Sequence, residues 1–105
     1  MAVSDEVRAM CIALFAPKEI DSALRVLDTY DGEEADRVHR AVVALSSGDL
    51  YRLASWVDGV TPPLDQLFWI AGAMQPDATE KQVAAARWLN SFYDKHRLAS
   101  PEEAG

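Results

Sequence analysis

PPLDQLFWIAGAM, residues 62–74, is apolar on nearly every side when wound into a helix, inside a chain that is otherwise acidic and amphipathic. A helix of that kind is either wrapped by its neighbours or lies against a partner. On a wheel of about 100° per residue, Leu64, Leu67, Phe68 and Ala71 form one stripe, with Met74 at its edge and Ile70 on a flank. Trp69 points nearly opposite that stripe, beside Asp65, Gly72 and Ala73. The small residues Ala71, Gly72 and Ala73 let a second helix approach closely. The expectation is a central helix with Trp69 in the core. The alternative is a surface helix that presents Trp69 to a partner.

Working outward, five more short helices are predicted. The first covers residues 4–15, with Ser4 as N-cap, Asp5 and Glu6 in the positive first turn, and Val7, Met10, Cys11, Leu14 and Phe15 on one face. Pro17 opens the second, residues 17–30, whose inward face is Ile20, Ala23, Leu24 and Leu27. The third, residues 33–45, has Ala35, Val38, Ala41, Val42 and Leu45 as its stripe. The fourth, residues 49–58, turns Leu50, Leu53, Ala54 and Val57 inward and Trp56 away from them. Gly59 is placed as a left-handed helix end, and Thr61-Pro62 as the start of the fifth helix. The sixth runs to about residue 97, with Ala85, Trp88, Leu89, Phe92 and His96 on its inner side. Thr79 with Gln82, or Asp77 with Glu80, forms a capping box at its start. The connections are short and no strand alternation occurs. The predicted fold is therefore all-α, a compact single-domain bundle of five to six short helices with mixed crossing angles over residues 1–97. Residues 98–105 read as a flexible acidic tail.

The stretch RVHRAVVALSSGDLYRLASWV, residues 37–57, resembles a segment of small bacterial all-helical proteins of unknown function, in which a helix ends in an A-x-L-S-x-G-D-L-like turn before a second helix. The resemblance covers about a fifth of the chain and implies a bacterial or phage origin. It assigns no activity and no functional residue.

Composition sets the partner classes. The formal net charge is −7, from 17 acids against 10 bases, so phosphate neutralisation has little to work with and nucleic acid is not expected as a partner. The fourth and fifth helices meet at a glycine turn, yet residues 62–74 carry no Lys or Arg, which a DNA recognition helix needs. The longest apolar run, residues 67–74, is far shorter than the roughly 20 residues of a membrane span. With no basic n-region at the N-terminus and a single cysteine, the chain reads as cytoplasmic, without a membrane partner.

Chemistry-bearing motifs are sparse in this chain. Cys11 lies mid-helix on an apolar stripe and reads as a small core residue. Asp36 and His39 are spaced i, i+3, which suits two metal ligands, but no second such motif supplies the rest of a site. They are expected as an exposed pair on a solvated face. No cofactor motif is present; Gly48 and Gly59 are single punctuating glycines. Five acids in nine residues, Asp28, Asp31, Glu33, Glu34 and Asp36, straddle the second turn. They suit the start of the third helix, and also a docking surface for a basic partner. The leading functional expectation is a non-catalytic protein-interaction or regulatory domain, with an inhibitor or immunity-type protein as one form. Its binding residues are Trp56, Trp69, Asp31, Glu33, Glu34 and Asp36. The alternatives are a homodimeric structural protein, or a small enzyme or metal-binding protein using Asp36, His39 and His96.

Overall fold

The computed structural model describes residues 3–60 and 63–98, with side chains as far as Lys95. Its elements follow from local chemistry. The Ser4 hydroxyl accepts from the Val7 amide at 3.2 Å and caps α1 (Asp5–Leu14). Pro17 opens a 3₁₀ turn, Pro17–Glu19, that leads into α2 (Ile20–Asp28), so the predicted second helix is divided and shorter. It stops early because the Thr29 hydroxyl donates to the Val26 carbonyl at 2.6 Å, and the Tyr30 amide tightens onto Leu27. Glu34, left-handed at φ 51°, turns the chain into α3 (Ala35–Ser46).

Ser47 and Gly48, at φ 53° and 83°, end α3. Gly48 is required twice over: its φ favours glycine, and a Cβ there would collide with the carbonyl oxygen of Leu14 in α1. Asp49 accepts from the Arg52 amide at 3.0 Å and caps α4 (Leu50–Asp58). Gly59 is right-handed at φ −85°, not the left-handed residue predicted, because its amide and that of Val60 close the helix with ordinary backbone bonds. Thr61 and Pro62 lie outside the described residues. The chain continues as α5 (Asp65–Ala71), a 3₁₀ turn (Gly72–Met74) and α6 (Glu80–Leu98). Leu98 is still helical, and the rest of the predicted tail lies outside the described residues.

The protein is an all-α bundle of six helices among the described residues, with a radius of gyration of 13.5 Å, the value of a compact chain of this length. Its centre is α3 and not α5. α3 packs against α1, α4 and α5 and buries Val38, His39, Ala41, Val42, Val43, Leu45 and Ser46. On a helical wheel these span an arc of about 200°. Alanine and valine let three helices close in on it. α5 has only seven residues, too few to be enclosed, and no residue between Asp65 and Ala71 is fully buried. Its inward stripe is the one predicted: Leu64 is buried and Leu67, Phe68 and Ala71 pack on the core. α2 rests on α1 and α4, and α6 lies along α4 and α5. No helix of the described residues is long and apolar enough to cross a membrane.

Candidate functional site

The outer face of α5 and α6 carries the largest exposed aromatic groups. α6 is fixed in place by three polar connections. The Thr79–Gln82 pair forms the capping box: the Thr79 amide donates to Gln82 Oε1 at 2.9 Å, and the Gln82 amide to Thr79 Oγ1 at 3.2 Å. Gln82 Nε2 also donates to the Trp69 carbonyl at 2.7 Å, joining the end of α5 to the start of α6. Midway, Asn90 Oδ1 accepts from Trp56 Nε1 at 2.9 Å while Asn90 Nδ2 donates to the Leu45 carbonyl at 3.1 Å. One amide thus ties α6 to both α3 and α4, and only one orientation of it satisfies both partners. Further along, Arg52 of α4 grips Asp94 with two bonds, Nε to Oδ1 at 3.0 Å and Nη2 to Oδ2 at 2.6 Å.

These connections turn Ala86, Leu89 and Tyr93 inward and leave Trp88 65% and Phe92 42% exposed. This corrects the prediction that Trp88 and Phe92 face the core. The two rings stack at 5.7 Å, with an interplanar angle of 11°. Phe92 meets Tyr93 at 6.1 Å, and Tyr93 meets Trp56 edge to face at 5.3 Å. Tyr93 and Leu89 then form one wall of a groove of about 360 Å³, whose other wall is Pro63, Leu67 and Ile70. Ile70 and Gln66 are shared with a shallow depression beside Trp69, which is 46% exposed. Exposed aromatic rings thus stand on both sides of the groove, Trp88 with Phe92 beyond Tyr93 and Trp69 beyond Ile70. Burial pushes the Tyr93 phenol up, and the negative charge of Asp58 pushes in the same direction, so the ring stays neutral.

The other predicted site residues fall elsewhere. Trp56 is only 5% exposed and lines the groove from within the core, so it is a support and not a contact surface. Its indole faces α6, a neighbour that the wheel of α4 alone does not show. The acids of the second turn are partly used inside the fold. Glu34 pairs with Arg37 at 3.3 Å. Asp36 accepts from Ser4 Oγ at 2.6 Å and pairs with Arg40 Nε at 2.9 Å. The Ser4 hydroxyl first, and Arg40 after it, hold the Asp36 carboxyl below the usual aspartate range. Asp31 and Glu33 are exposed, and the Glu33 carbonyl accepts from Tyr30 Oη at 2.7 Å.

His39 is fully buried, which corrects the expectation of an exposed Asp36–His39 pair. The wide buried arc of α3 takes it inward, where Nε2 donates to the Tyr30 carbonyl at 2.8 Å. Its Nδ1 is buried without a hydrogen-bond partner. Asp36 points instead at Ser4 and Arg40. The side chain of His96 lies outside the described residues. No group of three His, Cys, Asp or Glu side chains that could hold a metal ion occurs among the described residues.

The sequence signal for the aromatic face was present but outweighed. Choosing Leu89, Tyr93, Ala86 and Asn90 as the inner arc of α6 leaves Trp88 between Lys95 and Lys81 on the outer arc. The size of Trp88 and Phe92 drew the predicted stripe about 100° toward them. No protein-family model, no curated protein and no solved structure matches the chain.

Proposed function

We propose that this is a non-catalytic protein-interaction domain that binds its partner through the aromatic face of α5 and α6. The observation that supports this reading is Trp88. A tryptophan two-thirds exposed on a rigidly tethered helix, stacked on a second exposed ring, contributes little to folding. Such residues dominate the binding energy of protein interfaces. The tethers formed by Gln82, Asn90 and Asp94 hold the face in one shape, which lowers the ordering cost of association. The acidic turn supports a basic partner less well, because Glu34 and Asp36 already have arginine partners.

The test places a photoreactive phenylalanine analogue at Ala84, exposed one turn from Trp88, in the cells that make the protein, with the same analogue at the exposed control position Asp21. One discrete protein adduct at position 84, absent at 21 and abolished by Trp88→Ala, is the expected result. Equal labelling at both positions would reject the face.

A further inference from the structure

Resting on that reading, we infer that the partner segment seated on the α5–α6 face is an amphipathic helix with an apolar stripe and acids along the edge that lies over α6. Shape supports a helix. The groove follows α5 from Pro63 to Ile70, about 10 Å at 1.5 Å per residue. That length takes the anchors of about two helical turns, as in helix-in-groove recognition.

Charge selects the edge. From Glu80 to Lys95 the exposed charges of α6 are Glu80 at its first residue and then Lys81, Arg87 and Lys95, three cations to one acid, in a chain where acids outnumber bases 17 to 10. The other acid in this interval, Asp94, is turned to Arg52. On the helical wheel Lys81 and Lys95 lie one heptad to either side of Trp88 on the same strip of α6, about 10 Å away along the axis, so they are the α6 charges that flank it. Across the groove from α6 lies Asp65, beside Trp69, while Asp58 stands near Tyr93 at the α6 wall. A helix seated in the groove meets Asp65 on its α5 side and, beyond Tyr93, the lysines of the Trp88 strip on its α6 side.

The same pattern disfavours other occupants. A second copy paired antiparallel through α6 would bring Lys81 and Lys95 against their own kind. A nucleic acid strand or anionic membrane would set uniform negative charge against Asp58 and Asp65 as well as the cations, and three cations neutralise few phosphates.

A displayed library of 16-residue helices tests this, with fixed leucine anchors and both polar edges free to be Glu, Gln or Lys. Selection on the full chain should enrich Glu on one edge only. Selected peptides should lose at least tenfold in affinity on Trp88→Asp, and on the combined Lys81→Glu, Arg87→Glu and Lys95→Glu variant. Peptides without Glu, or an affinity unmoved by the charge reversal while Trp88→Asp still abolishes binding, would overturn the acidic partner and leave the interface standing. If no peptide is enriched, or Trp88→Asp binds as well as wild type, both fall. Trp88-dependent retention on a dT20 oligonucleotide or on phosphatidylserine vesicles, with no enriched peptide, also overturns both. Self-association at micromolar concentration that Trp88→Asp abolishes would overturn the acidic partner and leave the interface standing.

Discussion

Asn90→Ala removes the amide that joins α6 to α3 and α4. It leaves Trp56 Nε1 without an acceptor and the Leu45 carbonyl without this donor. Trp56 is almost fully buried, so its indole N–H cannot turn to bulk water. A hydrogen bond is worth about 1 kcal/mol net, and a buried group left unsatisfied costs about 1–3 kcal/mol. Asn90 itself is half-buried, and water entering the space it leaves offsets part of that cost. The expected loss is about 2–3 kcal/mol, or a fall in Tm of roughly 10 °C for a domain of this size. Urea unfolding followed by far-ultraviolet circular dichroism reads it directly. Trp56→Phe keeps most of the ring and deletes the donor, so the two substitutions should couple by about 1 kcal/mol in a double-mutant cycle. A loss below about 0.5 kcal/mol for Asn90→Ala, with additive single effects, would refute the linkage.

Three further outcomes follow from the same geometry. Gly48→Ala should destabilise by at least about 2 kcal/mol in urea unfolding, from left-handed strain and from collision with the Leu14 carbonyl; a neutral result would contradict the close approach of α1 to this turn. Because the Asp36 carboxyl is held low in the folded state, it stabilises the fold fully above the ordinary aspartate value of about 3.9, and that contribution disappears as pH falls through the folded value. The stability difference between wild type and Asp36→Asn should therefore be constant near neutrality and shrink below about pH 4; a difference that grows on acidification would reverse the assigned sign. Burial pushes the Cys11 thiol up against a smaller opposing effect of Arg8, so a water-soluble thiol reagent should label native protein only as fast as it opens; rapid labelling of the folded chain would place Cys11 at the surface.

The ends of the helices were the most legible part of the sequence, because Ser4, Pro17, Asp49 and Thr79 act on their nearest neighbours. The inward stripes of α3 and α5 were legible for the same reason, and so was that of α1 except for Leu14, which is 47% exposed. What one helix reveals only in contact with others was not. Residues 62–74 look central by composition, but enclosure needs length and neighbours on several sides, and α3 has both with small side chains. His39 reads as polar, and one carbonyl acceptor from the preceding turn is enough to take it inside. Trp56 and Trp88 exchange their expected places because Asn90 binds the indole of the first and so fixes the rotation of α6. Of the predicted site residues, Trp69 lies on the exposed aromatic face. The acidic turn is a separate surface that makes internal ion pairs.

The proposed binding face depends on the division between Trp88 at the surface and Trp56 in the core. The most direct measurement is the unfolding free energy of Trp88→Ala and Trp56→Ala under identical conditions. Trp88→Ala should cost no more than about 1 kcal/mol, the worth of a stacked aromatic pair with little burial. Trp56→Ala should cost about 3–5 kcal/mol, as deletion of a core tryptophan does. Equal and large losses would place Trp88 in the core and remove the proposed binding face.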